Sequence, residues 1–284
     1  MTAAARPGRY AVLGHPVAHS QSPFIHAAFA QATGEPVKYS RVLCPLEGFD
    51  DCVRQFAAEG AHGCNITVPF KFDAVRLASR CSERAQRAQA ANLLRFDPDG
   101  WFADNTDGVG LVRDIERNAG VALAGKRVLL VGAGGAAAGV LGPLVEARPA
   151  ALQLVNRTPE NAEALAASHA DFARKHGVHL EAGGLDGAAE SFDVVLNSSA
   201  SSLQQAAVPV PSRVLKPGTL AVDLMYGPAA AGFIEWAGHH GAVGRDGLGM
   251  LVEQAAEAFF VWRGVRPPTA PVLAALRHRL ASTT

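Results

Sequence analysis

A glycine-rich segment in the middle of the chain constrains the fold more than any other feature. Residues 132–137 read Gly-Ala-Gly-Gly-Ala-Ala, and they directly follow the apolar run 128–131. A G-x-G-x-x-A pattern between a strand and a helix is typical of dinucleotide-binding domains, because its glycines permit a tight turn and close approach to a pyrophosphate. The N-terminus of the following helix would face the phosphates. We therefore predict that a dinucleotide contacts Gly132, Ala133, Gly134, Gly135 and Ala136, against the alternative of a purely structural turn.

Apolar runs and helical periods alternate on both sides of this segment. Four runs in the second half lack a polar alternation, as expected for strands that helices cover on both faces: 128–131, 152–155, 193–196 and 220–223. The first hundred residues contain the runs 10–14, 39–43 and 63–68 and the helical periods 23–32, 46–58 and 70–78. Helical periods return at 248–262 and 271–280.

This order predicts an α/β protein with two domains. We expect an open, mainly parallel α/β substrate-binding domain at 1–107, completed by C-terminal helices at 246–284. A Rossmann-type, doubly wound dinucleotide-binding domain would occupy 108–245, with ligands at the carboxyl ends of its strands.

Composition excludes several other classes of protein. Lys and Arg (26) balance Asp and Glu (26), so no net positive charge attracts nucleic acid or an anionic membrane. The uncharged run 128–145 contains five glycines and a proline, which favours a strand, turn and helix over a membrane span. The first nine residues lack the apolar stretch of a signal peptide. Four cysteines without a C-x-x-C pair predict reduced thiols in a cytoplasmic protein: Cys44, Cys52, Cys64 and Cys81.

The residues after the second strand of the dinucleotide-binding domain bear on the choice of cofactor. NAD-binding domains place an Asp or Glu there for the ribose 2'-hydroxyl, whereas an Arg suits a 2'-phosphate. Here the strand ends in Asn156-Arg157-Thr158, without a carboxylate. The sequence therefore predicts NADP, with an ordinary solvated Arg157 as the alternative.

Two hydroxyls lie close together after the first strand. Ser20 and Ser22 are two residues apart in a loop, where both can reach one carboxylated or polyhydroxylated ligand. Alternatively they only cap the next helix, with Ser22 as its N-cap and Pro23 in its first turn. His15 and His19 have i, i+4 spacing, but the proline between them disfavours a helix and hence a metal site.

Lys71 and Asp107 are the candidates for proton transfer. Lys71 begins a predicted helix, where the helix dipole disfavours a cation, and Asp107 lies in an irregular polar segment 36 residues further on. If the two side chains meet, the lysine can exchange a proton with a substrate hydroxyl while the carboxylate orients it. Their separation in the sequence leaves that contact open.

Five motifs together resemble the shikimate dehydrogenase family. They occur in the family's order: Gly14-x-Pro16-x-x-His19-Ser20-x-Ser22-Pro23, Asn65-Ile66-Thr67-x-Pro69-x-Lys71, Asn105-Thr106-Asp107-Gly108, the loop 132–137, and Met250-Leu251-Val252-x-Gln254-Ala255. The resemblance implies reversible reduction of 3-dehydroshikimate to shikimate with NADP, in aromatic amino acid biosynthesis. It implies no metal, because the cofactor carries the hydride.

The resemblance also implies roles for individual residues. Lys71 would be the proton acceptor, paired with Asp107, and Ser20 and Ser22 would hold the substrate carboxylate. The substrate hydroxyls would contact Thr67, Asn92, Asp107 and Gln254, with Tyr226 nearby. The cofactor would contact the loop 132–136, Asn156, Arg157 and Thr158, and its nicotinamide end would lie near Glu83, Leu224 and Gly247.

Two positions depart from the family pattern. The family reads Gly-Ala-x-Asn-Thr around the substrate asparagine, where this chain has Gln89-Ala90-Ala91-Asn92-Leu93, and a second basic phosphate clamp is replaced by Asn161. Two alternatives stay open: a quinate or quinate/shikimate dehydrogenase that uses NAD, and a non-catalytic regulator that senses shikimate. The sequence also leaves open whether the chain is a monomer or a homodimer.

Overall fold

The chain forms two compact units. The computed structural model describes residues 7–188, 190–202 and 207–282. Unit 1 comprises residues 1–110 and 251–284, and unit 2 comprises residues 111–250. The chain leaves unit 1 within helix α5 (Asp107–Arg113) and returns to it within helix α9 (Leu248–Arg263). The boundaries predicted from the sequence fall a few residues before each of these crossings.

Unit 1 contains a six-stranded, mainly parallel sheet. Its strands are β1 (Gly8–Gly14), β2 (Val37–Leu43), β3 (Gly63–Ile66), β4 (Arg80–Cys81), β5 (Leu93–Arg95) and β6 (Phe102–Asp104). Their order is β2-β1-β3-β5-β6-β4, and β5 runs antiparallel to both of its neighbours. The helices of this unit, besides α5 and α9, are α1 (Ser22–Thr33), α2 (Phe49–Ala58), α3 (Lys71–Arg76), α4 (Glu83–Ala88) and α10 (Ala270–Ala281).

Helix α1 corrects the predicted cap. Gln21 is the N-cap, Ser22 is the first helical residue, and no side chain caps this end. Because Pro23 occupies the first turn and has no N–H to be capped, the helix begins one residue earlier than predicted. The Ser22 side chain is therefore available for other contacts.

The C-terminal helices pack within unit 1. Trp262 of α9 stacks on Tyr10 of β1 with ring centroids 4.6 Å apart, and its indole N–H donates to the Leu94 carbonyl oxygen at 3.1 Å. Arg263 pairs with Glu35 beyond the end of α1. These aromatic and ionic contacts hold α9 on the sheet and thereby fix the position of its residue Gln254.

Unit 2 is a doubly wound parallel sheet. Its strands are β7 (Arg127–Val131), β8 (Ala151–Asn156), β9 (His179–Gly184), β10 (Val194–Asn197), β11 (Leu220–Asp223) and β12 (Val243–Arg245), in the order β12-β11-β10-β7-β8-β9. The order reverses between β7 and β10, which is where such sheets bind ligands. Its α-helices include α6 (Gly135–Glu146), α7 (Pro159–Lys175) and α8 (Ala231–His239), and a π-helical turn at Asp114–Asn118 extends α5.

Strand β7 shows why the unbroken apolar runs are strands. Val128 and Leu130 pack into one hydrophobic cluster, whereas Leu129 and Val131 pack into another on the opposite face of the sheet. Since successive side chains of a strand point to opposite faces, a strand covered on both sides needs apolar residues throughout.

The expectation of four reduced cysteines is wrong for two of them. Cys44 and Cys52 form a disulfide, with Cα atoms 6.0 Å apart, whereas Cys64 and Cys81 are free thiols. Cys44 directly follows β2 and Cys52 lies in α2. The turn between the two elements brings these cysteines, eight residues apart, within the distance that a disulfide spans. In the described part of the chain, no helix is long and apolar enough to cross a membrane.

Candidate active site

Lys71 and Asp107 meet in unit 1. Lys71 is the first residue of α3 and Asp107 the first of α5, and the Lys71 Nζ lies 2.5 Å from Asp107 Oδ2. Their side chains are only 14% and 7% exposed, so water screens the pair weakly. The negative charge of the carboxylate offsets the unfavourable interaction of the lysine ammonium with the positive end of the helix dipole. A buried ammonium paired with a carboxylate is a suitable group for exchanging a proton with a ligand hydroxyl.

Asn92 connects this pair to other predicted residues. Its Nδ2 donates to Asp107 Oδ1 at 2.8 Å and lies 3.0 Å from Thr106 Oγ1 and 3.2 Å from Gln254 Oε1. The backbone N–H of Thr106 donates to Asn92 Oδ1 at 2.8 Å, which sets the orientation of the amide. Thr106 had no predicted role, although it lies beside Asp107 in the sequence.

The departure at Gln89 does not displace Asn92. Gln89 adopts a positive φ of 49°, the left-handed conformation that glycine adopts without strain, at the position where the family has glycine. Its side-chain Nε2 donates to the Gln86 carbonyl oxygen at 2.6 Å. Gln89 is thus accommodated in a left-handed turn, and Asn92 reaches the Asp107 carboxylate.

The predicted carboxylate-binding serines also meet. Ser20 Oγ donates to Ser22 Oγ at 3.1 Å, and the Ser22 N–H donates to Ser20 Oγ at 3.3 Å. Both serines follow β1, and Thr67 follows the adjacent parallel strand β3. A Cβ at Gly14, the last residue of β1, would lie 2.2 Å from Thr67 Cγ2, so glycine is needed for this close approach.

Two further polar residues, Tyr39 and Asn65, form hydrogen bonds that lead to Asn92. The Tyr39 hydroxyl donates to Asn65 Oδ1 at 2.7 Å, and Asn65 Nδ2 donates to the Asn92 carbonyl oxygen at 3.1 Å. Asn65 begins one of the motifs, but the sequence assigned it no role. Tyr39 carries no motif signal, because an aromatic residue in a predicted strand is usually a packing residue.

The glycine-rich segment connects β7 to α6. Gly132 has a φ of 107°, and a Cβ there would lie 2.7 Å from Ser198 Oγ and 3.0 Å from the Ser199 nitrogen. Gly134 is the N-cap of α6, and nothing lies within 4 Å of where its Cβ would be. The turn therefore has open space beside a helix N-terminus, as a pyrophosphate requires. The residues present fit a dinucleotide.

The predicted cofactor residues after β8 lie at the start of α7. Asn156 ends the strand, Thr158 is the N-cap of the helix, and Asn156 Nδ2 donates to the Thr158 carbonyl oxygen at 2.9 Å. The side chains of Arg157 and Thr158 are exposed. The carboxylate typical of NAD sites is absent from residues 156–158, and the role of Arg157 at a 2'-phosphate stays a prediction.

The residues expected at the nicotinamide end belong to both units. In unit 2, Gly247 N–H donates to the Met225 carbonyl oxygen at 2.8 Å, and a Cβ at Gly247 would lie 2.4 Å from the Leu224 carbonyl oxygen. Leu224 and Gly247 are thus neighbours, and Tyr226, two residues after Leu224, is half-buried. Glu83 is the exposed first residue of α4 in unit 1. The roles of all four stay predictions.

Within residues 7–188, 190–202 and 207–282, no group of three or more His, Cys, Asp and Glu side chains is arranged to hold a metal ion.

These two units define a class of protein, the two-domain α/β dehydrogenases that use a dinucleotide. Three family models match successive parts of the chain: the shikimate dehydrogenase substrate binding domain at 12–94, shikimate/quinate 5-dehydrogenase at 114–224, and the shikimate 5'-dehydrogenase C-terminal domain at 247–277. A protein from Methylibium petroleiphilum named shikimate dehydrogenase (NADP(+)) is 63% identical over 280 residues, covering 96% of this chain and 95% of the relative. The chain belongs to the shikimate dehydrogenase family.

Solved structures have the same fold. The Ael1 enzyme from Pseudomonas putida superposes with a TM-score of 0.86 at 44% identity, covering 95% of this chain and 98% of that one. Shikimate 5-dehydrogenase from Thermus thermophilus, solved in complex with shikimate, gives a TM-score of 0.83 at 32% identity, covering 96% and 99%.

Proposed function

We propose that this chain catalyses the reversible NADP(H)-dependent reduction of 3-dehydroshikimate to shikimate, a step towards chorismate and the aromatic amino acids. The relatives named above support this activity over the full length of the chain. The observation that carries the proposal is the buried Lys71–Asp107 pair, joined by hydrogen bonds to Asn92 and through it to Gln254.

The proton transfer is assigned to Lys71. Oxidation of a secondary alcohol removes the hydroxyl proton as hydride leaves, and NADP supplies the hydride acceptor when bound. In the direction of oxidation, Lys71 acts as the neutral amine: its Nζ takes that proton and becomes an ammonium, and in the direction of reduction the ammonium returns the proton. Asp107 accepts from Lys71 Nζ with one carboxylate oxygen and from Asn92 with the other, so the carboxylate holds Nζ in place.

Substrate recognition is assigned to the polar side chains that the resemblance to the family indicates. Ser20 and Ser22 donate to the substrate carboxylate, and Tyr226 lies near the substrate. The ring hydroxyls are bound by Thr67, Asn92, Asp107 and Gln254. The roles of Asn92, Asp107 and Gln254 are supported by the hydrogen bonds from Asn92 to the other two side chains.

Cofactor binding is assigned mainly to unit 2. The loop 132–136 binds the pyrophosphate through backbone N–H groups, and Arg157 binds the 2'-phosphate with support from Asn156 and Thr158. The nicotinamide end is assigned to Leu224, Gly247 and Glu83. The open space at Gly134 and the exposed Arg157 side chain support this assignment.

The activity is tested by following absorbance at 340 nm with shikimate or quinate against NADP or NAD. We expect the highest kcat/KM for shikimate with NADP. An NAD-dependent quinate enzyme is not favoured, because the relatives are named for NADP, and a non-catalytic regulator is not favoured, because Lys71 and Asp107 are both present and paired. Highest activity with quinate and NAD, or no activity with any pair, would refute the proposal.

We also propose a cytoplasmic location, because the reaction draws on the intracellular NADP pool, and domain limits near those predicted from the sequence. For the oligomeric state, we propose a homodimer, with a monomer as the alternative. Cell fractionation tests the location, and light scattering on the purified protein measures the mass of the assembly.

A further inference from the structure

Arg41 lies beside the two serines that the proposed function assigns to the substrate carboxylate. Its Nε donates to the Ser20 carbonyl oxygen at 2.9 Å, and its Nη2 donates to the same oxygen at 2.5 Å. Ser20 Oγ in turn donates to Ser22 Oγ at 3.1 Å. Arg41 lies in strand β2, outside every motif of the sequence, so only the tertiary structure places it next to this pair.

The pairing of β2 with the rest of the sheet explains the contact. Arg41 and Tyr39 are two residues apart in the strand, so their side chains lie on the same face of the sheet. Tyr39 stacks on His26 of α1, so this face is the one that α1 covers. Because Ser20 lies two residues before α1 begins, Arg41 reaches its carbonyl oxygen from the strand.

The Ser20 carbonyl oxygen lies just outside the backbone hydrogen bonds of α1. The Ile25 N–H donates to the Gln21 carbonyl oxygen at 3.2 Å, and Ser20 is the residue before Gln21. A carbonyl oxygen has two lone pairs, so it can accept both N–H groups of Arg41. Since hydrogen bonds from a cation are strong, these two contacts fix the position of the guanidinium.

The positive charge of Arg41 has no carboxylate partner among the residues that the structure describes. Both of its hydrogen bonds go to the Ser20 carbonyl oxygen, whereas Arg263 of the same unit pairs with Glu35. The first turn of α1 contains no acidic residue, so no side chain of that turn offsets the positive end of the helix dipole. The guanidinium and the helix end therefore both favour an anion at this place.

The charge lies close enough to act on a carboxylate bound by the serines. The carbonyl and hydroxyl oxygens of one serine are less than about 5 Å apart, so the guanidinium lies within about 8 Å of Ser20 Oγ. Charges at this separation attract each other when the Debye length is about 30 Å, at 0.01 M salt. At 1 M salt the Debye length is about 3 Å, and the attraction is largely screened.

We propose that Arg41 is a specificity-determining residue, which favours an anionic ligand at Ser20 and Ser22 through a guanidinium that the Ser20 carbonyl oxygen holds beside the two hydroxyls. The inference rests on the proposed function, which assigns these serines to the substrate carboxylate. The hydroxyls can donate to a neutral ester as well as to an acid. Arg41 therefore supplies the interaction that distinguishes the charged acid from its neutral derivatives.

The substitution Arg41→Gln removes the charge from an exposed side chain. With saturating NADP at about 0.01 M salt, we expect it to raise KM for shikimate roughly three- to tenfold, with kcat within about twofold of the unmodified enzyme. The KM values of the two enzymes should converge at about 1 M salt, because the attraction is then screened. The methyl ester of shikimate carries no charge, so the substitution should leave its KM unchanged.

Lys38→Gln is the matched control. Lys38 is an exposed cation of the same strand, but it lies three residues from Arg41 and therefore points to the opposite face of the sheet. Its substitution changes the net charge equally, and we expect it to leave KM for shikimate unchanged. Arg41→Lys keeps a positive charge that can donate to the Ser20 carbonyl oxygen, so its KM should lie closer to that of the unmodified enzyme than to that of Arg41→Gln.

Several results would overturn the inference. These are an equal KM rise for acid and ester, a rise of the same size at low and high salt, an equal effect of Lys38→Gln, or an Arg41→Lys variant as impaired as Arg41→Gln. An unmodified enzyme that is active on shikimate, with an Arg41→Gln variant of the same KM, would overturn this inference alone. An unmodified enzyme that is inactive on shikimate would overturn the proposed function and this inference with it.

Discussion

Lys71 lies at the N-terminus of a helix, where the helix dipole disfavours a cation. The negative charge of one carboxylate offsets this unfavourable interaction. Asp107 lies 2.5 Å away, in a largely buried environment. We expect Lys71→Ala to lower kcat by roughly 10² to 10⁴ with a smaller change in KM, because the proton acceptor is lost while the binding groups remain. Steady-state kinetics with shikimate and NADP measure this. The control is Arg76→Ala on the same helix, whose exposed pair with Asp73 should be dispensable. Near-normal turnover of Lys71→Ala would remove the lysine from the mechanism.

Arg157 is the one predicted clamp for the 2'-phosphate, since Asn161 replaces the second. A charge-assisted pair of this kind contributes about 1.5 to 3 kcal/mol, so we expect a roughly ten- to hundredfold preference for NADP in kcat/KM. Arg157→Ala should lower kcat/KM strongly with NADP and little with NAD, because only NADP has the 2'-phosphate that Arg157 contacts. Asn161→Arg should widen the preference. If the unmodified enzyme has a kcat/KM with NAD at least as high as with NADP, the assignment of Arg157 to the 2'-phosphate is wrong.

Among the helices, the contact between α5 and α9 depends on Gly110. A Cβ there would lie 2.6 Å from the Gln254 nitrogen and 2.9 Å from its Cα, and backbone atoms cannot yield cheaply. We expect Gly110→Ala to lower the free energy of unfolding by about 1 to 3 kcal/mol and to raise KM for shikimate, because Gln254 shifts. Urea unfolding and kinetics measure both effects.

The control for this prediction is Gly232→Ala in helix α8. Nothing lies within 4 Å of the added Cβ, and alanine has the higher helix propensity, so the variant should be at least as stable as the unmodified protein. Equal free energies of unfolding for Gly110→Ala and Gly232→Ala would contradict the prediction, because α5 and α9 would then accommodate the added Cβ at no cost.

For the molecule as a whole, carboxylates whose pKa is lowered by hydrogen bonds make stability depend on pH. The Arg127 backbone N–H and the Lys216 ammonium hold the pKa of Asp193 below its usual value, and Arg95 does the same for Asp97. A lowered pKa in the folded state stabilises the protein above the unfolded value of about 3.9, and this contribution disappears as the pH falls through the folded value.

We therefore expect the free energy of unfolding to fall as the pH drops below about 4. The substitution Asp193→Asn should lower stability at about pH 7 and make the loss between about pH 5 and about pH 2 shallower, because the titrating group is gone. Urea unfolding over this range measures it. Asp171→Asn, at an 85% exposed side chain, is the control and should leave the pH profile unchanged. A profile of Asp193→Asn as steep as that of the unmodified protein would contradict the assignment.

Features that depend on neighbours along the chain were predictable from the residues alone. Strand β7, the glycine turn and helix α6 follow one another without interruption, so their spacing alone specified a dinucleotide-binding unit, and the buried strands β8, β10 and β11 were readable as unbroken apolar runs. The short or exposed strands β4, β9 and β12 were not, because two or three residues, or a polar surface, leave no periodic signal.

The meeting of distant residues was settled by the tertiary structure and could not be predicted from the residues and their spacing, although the family resemblance implied the pair of Lys71 and Asp107. The 2.5 Å contact between Lys71 and Asp107, the disulfide of Cys44 with Cys52, and the path through Tyr39 and Asn65 all depend on how strands pair and where turns return the chain. The helix start was mispredicted by one residue, since Pro23 in the first turn has no N–H for a serine to cap, and the Ser22 hydroxyl is hydrogen-bonded to Ser20 instead. The propensities and patterns of neighbouring residues specify helices, strands and turns. Side-chain contacts between these elements depend on how the elements pack, and no short segment of the sequence encodes that packing.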